Sequence, residues 1–276
     1  MTIWLKDFAF MGHAALAWLA SWWRVIHLGA LMLVLALSPS SHRSNRRLAV
    51  LSQLYLATGP ILAWFGVLSA LISLIVIRIV VVTALSYGLS QYALEMVVRV
   101  LVLELIPLTA ALFAALRVTL PNGAEIAAMK SRGELTALAR QGTDPLAQEV
   151  LPRVLAGMFA VTLLATVSCL LTLVLAYLAV HGFTLGGFER YTRIVGRVFS
   201  PAVALTLALK VFSLSLAVSL LPMASALYPP PRIRSKASSE LQGLVRMFML
   251  ILLIEATSLV AYFSDRGRLF QSDRAR

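Results

Sequence analysis

Five stretches of this chain are too long and too uniformly apolar to belong in a water-soluble core. Leu48 to Ile77 contains no charged residue, Arg78 follows, and the apolar run then resumes to Leu85. Tyr92 to Arg117, Val154 to Val180, Phe199 to Tyr228 and Leu244 to Phe263 repeat the pattern. A helix needs ~20 mainly apolar residues to cross a bilayer. The pattern therefore predicts five membrane spans, at 48–85, 92–117, 154–180, 199–228 and 244–263. The first 40 residues read differently, because Lys6, Asp7, His13, Arg24 and His27 punctuate them. Trp4, Trp18, Trp22 and Trp23 also fall there, and tryptophan prefers the headgroup level, half buried and half wet. An interfacial helix over 1–40 is expected, with 28–37 dipping into the bilayer before Ser38-Pro39. A cleaved signal peptide is the rival. Trp18 just ahead of Ala20, and the apolar run that resumes at Leu28, weigh against it.

One long stretch breaks the apolar character. Residues 121–153 carry Asn122, Glu125, Lys130, Arg132, Glu134, Arg140, Asp144, Glu149 and Arg153. The spacings Asn122–Glu125 and Ser131–Glu134 fit capping boxes, in which each side chain caps the other's backbone N–H. Leu135 and Leu138 give a short apolar stripe, Gly142 is a stop, and Asp144-Pro145 opens the next element. A polar helix pair between two spans has to sit in water or on a partner. Basic residues also crowd 41–47 and 229–240. The positive-inside bias then puts the amino terminus and these three segments in the cytoplasm. Arg190, Arg193 and Arg197 and the arginines of the tail fall on the other side, so the split is a bias only.

Composition agrees with the pattern. Of 276 residues, 60% are hydrophobic and 13% charged, against about 25% charged in a typical soluble domain. The net charge of +12 belongs beside apolar runs, where it meets anionic headgroups, and it does not indicate nucleic acid. The single Cys169 excludes a disulfide framework within the chain. His13, His27, His42 and His181 are scattered without metal-ligand spacing, and no glycine loop ends in Lys-Ser/Thr to hold a nucleotide. No catalytic residue and no metal site is expected.

Charges inside the predicted spans stand out: Arg78, Arg99, Glu104, Lys210 and Glu255. An ionisable group at mid-bilayer costs at least ~2.5–3.5 kcal/mol and needs a partner or water. Glu104, Lys210 and Glu255 can pair across helices, either to hold the bundle together or to line a transport path. Arg78 either snorkels to the headgroups or meets a lipid phosphate.

An ordered set of short motifs then resembles the MlaE/YrbE permease family. Glu104-Leu105-Ile106-Pro107, Arg117, Ala124-Glu125-Ile126, Asp144-Pro145-Leu146 and Pro152-Arg153-Val154-Leu155-Ala156-Gly157 resemble its R-E-L-G-P, G-R, A-E-I, D-P and P-R-x-x-A at fixed spacing from Gln53 through Gly157. Lys210 and Glu255 fall where the family keeps a Lys and an acidic residue. The resemblance implies one all-α permease domain over 1–276, with an interfacial helix, five spans, and 121–153 as a cytoplasmic coupling segment. It implies a non-catalytic subunit of an ABC transporter in the bacterial inner membrane. The implied partners are a second permease copy or paralogue, a cytoplasmic ATPase that holds the ATP and magnesium, an MCE-domain protein outside, and phospholipid cargo. Glu125, Glu134, Leu135, Leu138 and Asp144 would dock the ATPase, and Val76 and Tyr87 would lie near a lipid pocket. The family's arginine before the glutamate is Leu103 here, with Arg99 one turn back placed to supply the charge. Gly133 and Ala139 stand where the family has acidic residues.

Overall fold

The computed structural model describes residues 22–37, 44–228 and 236–274. The signal-peptide question, Trp4 and Trp18, the 38–43 connection and the 229–235 stretch lie outside the described residues. Helices make up almost everything described, and no strand occurs among those residues. In chain order they are α1 (Trp22–Leu37), α2 (Ser44–Ser86), α3 (90–131), α4 (Glu134–Arg140), α5 (Leu146–His181), α6 (Phe188–Val198), α7 (Pro201–Leu227) and α8 (Lys236–Arg274). Five are long and apolar enough to cross a membrane, over Val50–Ser86, Leu94–Ser131, Leu146–His181, Pro201–Leu227 and Gly243–Ala261. The described part of α1 lays Leu28 and Met32 against α5 and α7 at one end of the bundle.

The main departure from the sequence reading is α3. The second span was expected to end at Arg117 and a separate polar segment to begin at 121, yet α3 runs without interruption from Ser90 to Ser131. Its course is α-helical over Ser90–Val97, Ile106–Ala114 and Leu120–Ser131, and widens to π-helical turns over Val98–Leu105 and Ala115–Thr119. A third π stretch, Leu146–Val150, opens α5. Each wide stretch ends just before a proline, at Pro107, Pro121 and Pro152. A proline in a helix has no N–H for the carbonyl four residues back, and its ring crowds that carbonyl. Those carbonyls belong to Leu103, Arg117 and Gln148, all inside the π stretches. Widening the turn lets the helix pass the proline without breaking.

Because α3 continues, neither capping box forms. The N–H groups around Asn122 already belong to a running helix, and the side chain of Glu125 turns to Arg153. Glu134 is engaged by Arg132 at 2.6 Å, and the Ser131 hydroxyl donates back to the Ala128 carbonyl. The polar excursion thus shrinks to the turn at Gly133 (φ +77°), the two-turn α4, and a second turn at Gly142 (φ +75°). Both glycines sit in the left-handed region that other residues rarely adopt. Asp144 Oδ1 accepts from the Leu146 N–H at 3.0 Å, which starts α5.

All five spans meet in one cluster that includes Phe65, Ala110, Ala114, Val161, Ala165, Leu214, Val218, Met247 and Ile251. Small residues let backbones approach, which is how helices gain contact when lipid is as apolar as their side chains. At one close crossing a Cβ on Gly157 of α5 would lie 2.7 Å from Ser219 Oγ of α7 and 2.8 Å from Thr119 Cγ2 of α3. α2 packs along α5, and α8 packs on α7.

Candidate functional site

Lys210 lies in the interior of α7, about two and a half turns from its Pro201 end, and is 4% exposed. An ammonium has three N–H donors and no acceptor. Here it finds three oxygens. The Nζ donates to the Glu104 carboxylate of α3, to Glu255 Oε2 of α8 at 2.6 Å, and to the Leu103 carbonyl at 3.2 Å. The Leu103 carbonyl is one of those deprived by a proline, in this case Pro107. One sequence feature therefore shapes the turn that carries Glu104 and also frees the third acceptor.

Two carboxylates share one ammonium, so the cluster carries one formal negative charge in excess. Glu255 Oε1 is buried and has no hydrogen-bond partner among the described residues. Glu104 is the most exposed member, with 29% of its side chain accessible. By helical rise Lys210 sits roughly 14 Å along α7 from Pro201, in the half of the bundle away from α4.

A second cluster forms where α3 emerges at the opposite end. Arg153, 7% exposed on the first turns of α5, pairs with Glu149 at 2.6 Å and with Glu125 of α3 at 3.3 Å. It also donates to the Glu149 carbonyl at 2.7 Å. Lys130, near the end of α3, donates to the Leu227 carbonyl at the end of α7, a favourable place for a cation because the terminal carbonyls carry the negative end of the helix dipole. The two helices that flank α4 are thus tied to each other and to α7.

The other sequence-selected residues are dispersed. Arg99 pairs with Glu95 one turn earlier on α3 at 2.6 Å. Arg78 is exposed and has no carboxylate within reach among the described residues. Leu135 packs against the α1–α5–α7 cluster, while Leu138 is half buried. Val76 is half buried against Ile77 and Leu101, whereas Tyr87 is 77% exposed in the turn after α2, so the two are not brought together. Sequence reasoning passed over Arg153 as a site residue, although Glu149–Arg153 is an i,i+4 ion-pair spacing that could have marked it. It also passed over Lys130, whose partner is a backbone carbonyl that no side-chain pattern announces. No group of metal ligands occurs among the described residues.

With the cluster placed, comparison with known families is decisive. A family model described as Permease MlaE matches residues 50–261. The chain belongs to the MlaE permease family. A search of curated proteins finds no match. The family match runs from the first residue of the first span to the last residue of the fifth. The bundle just described is therefore the MlaE permease unit, while α1 and the far part of α8 lie outside the match. As an MlaE-family permease the chain is a multi-pass membrane protein that works as part of an ABC transporter. The Glu104–Lys210–Glu255 cluster joins its second, fourth and fifth spans.

Proposed function

We propose that this permease moves phospholipids or other hydrophobic molecules between the inner and outer membranes of a bacterial cell. A separate cytoplasmic ATPase, holding ATP and magnesium, drives it. Outside, the cargo passes to or from an MCE-domain protein, and a second copy or a paralogue completes a dimeric permease. On this reading the amino terminus is cytoplasmic and α4, with Glu125, Glu134, Leu135, Leu138 and Asp144 around it, rests on the ATPase. Arg153 and Lys130 would carry movement of that segment into α5 and α7. Any ATP hydrolysis belongs to the partner, and this chain contributes no catalytic residue.

The observation that carries the reading is the ion cluster. Three spans converge on charges that cost several kcal/mol to place in lipid, and the arrangement still leaves Glu255 Oε1 unpartnered. A purely structural clamp gains nothing from an orphaned buried oxygen, since such a group carries its full desolvation penalty. A structural scaffold, or an inactive half of an unlike pair, remains the second reading, because all three donors of Lys210 are satisfied. Native mass spectrometry of the complex extracted from membranes separates these. The transporter reading expects a P-loop ATPase chain and bound phospholipid on the same particle. A particle with neither would sink it.

A further inference from the structure

The short helix α6 bridges α5 and α7 at the end of the bundle remote from α4. Tyr191, Ile194, Val195 and Val198 recur at i, i+3, i+4 and i+7 and face the bundle. Tyr191 fixes the helix by donating its hydroxyl to the Leu173 carbonyl at 2.7 Å and by packing edge-on against Tyr177 at 5.2 Å. Burial pushes that hydroxyl up to about 12, so it stays a donor at any physiological pH. The opposite face carries Arg190, Arg193 and Arg197, all exposed and at i, i+3 and i+7, which places them in one stripe. Arg193 is paired with Glu189 at 2.6 Å. Arg190 and Arg197 have no carboxylate within reach among the described residues.

Connectivity sets the depth of this stripe. α5 ends at His181 and α7 begins at Pro201, where the Ser200 hydroxyl accepts from the Val203 N–H. Only two residues separate α6 from α7, so α6 lies at the level where two spans leave the bilayer. Two aromatic rings are exposed beside it, Phe183 at 94% and Phe188 at 55%. Exposed phenyl groups next to a basic stripe, at the mouth of two spans, match the acyl–headgroup boundary, where aromatics sit below and arginines reach phosphates.

We propose that the arginine stripe of α6 binds the phosphates of anionic phospholipid headgroups in the leaflet at that end of the bundle. Charge complementarity selects this occupant. The stripe and Glu189 together carry a net charge of +2, from three arginines and one glutamate, and basic residues near an anionic surface gain attraction within a Debye length. With the amino terminus cytoplasmic, this is the outer leaflet, where the insertion bias disfavours arginine. Three arginines kept there call for a binding role. The inference needs α5 and α7 to cross a bilayer but does not need lipid to be transported, so the two readings fail separately.

The test is native mass spectrometry of the membrane-extracted complex, in detergent doped with phosphatidylglycerol or phosphatidylcholine at equal mole fraction. The wild type should retain phosphatidylglycerol preferentially, and less of it as salt rises. Arg190→Gln with Arg197→Gln should lower that retention by up to about 25-fold, since each exposed cation near the surface contributes roughly fivefold. Arg190→Lys with Arg197→Lys should keep most of it. Both altered positions are exposed, and unchanged helical circular dichroism would show the fold intact. The proposal is overturned if the glutamine pair leaves phosphatidylglycerol retention unchanged, or if inorganic phosphate displaces it as effectively as added lipid does. It is also overturned if the pair loses an associated protein chain while its lipid count stays the same.

Discussion

Lys210 is the residue on which the account turns, because its worth depends on what surrounds it. Replacing it with Met leaves Glu104 and Glu255 facing each other with no cation. Breaking a buried pair from one side costs about 3–5 kcal/mol, and thermal unfolding of the detergent-solubilised protein should show a loss of that order. Adding Glu104→Gln and Glu255→Gln to Lys210→Met removes the stranded charges and should recover most of the stability. All three residues are legible in the sequence, because a lone charge in an apolar run has few ways to exist in lipid. What the sequence hides is the third acceptor. Pro107 reads in the sequence only as part of a family motif inside a span, and the folded turn alone shows that it releases the Leu103 carbonyl to the ammonium.

At the scale of elements, the five spans are legible from apolar length alone, and their ends are not. Pro107, Pro121 and Pro152 are absorbed by π turns, so α3 carries straight on into the polar segment. Capping-box spacing misleads for the same reason: it describes helix starts, and 122–125 is no start. The junction that replaces them rests on Arg153. Arg153→Met should cost about 1–3 kcal/mol, the usual penalty for leaving buried partners unsatisfied. Its signature would be faster amide exchange across 120–153 with the central turns of α5 unchanged, and ATP hydrolysis that continues while lipid movement falls. Arg153→Lys should restore this only in part, because a point charge cannot bridge Glu125 and Glu149 as a planar fork does. Unaltered exchange in Arg153→Met would remove Arg153 from the coupling role.

For the whole molecule, the outward surfaces of α2 and α8 are lined with exposed Leu, Ile, Val and Trp side chains, which in water would aggregate and in lipid are at rest. Helical rise makes the 37-residue first span about 55 Å long, well beyond the ~30 Å hydrocarbon core, so it tilts or extends past the membrane. The membrane placement and the family were therefore accessible from pattern and motif together. Partners were not, because docking surfaces such as α4 are short, mixed in character and complementary to something outside the chain. The most direct test of the central claim, that this permease moves lipid through a path governed by the buried ion cluster, is ATP-driven lipid flux in the reconstituted complex. It compares wild type with the Glu104→Gln, Lys210→Met, Glu255→Gln variant at matched abundance. The account predicts flux in the wild type and at least a roughly tenfold loss in the assembled variant, equivalent to ~1.4 kcal/mol in the barrier. Wild-type flux from the charge-free variant, or no ATP-dependent flux from either, would contradict it.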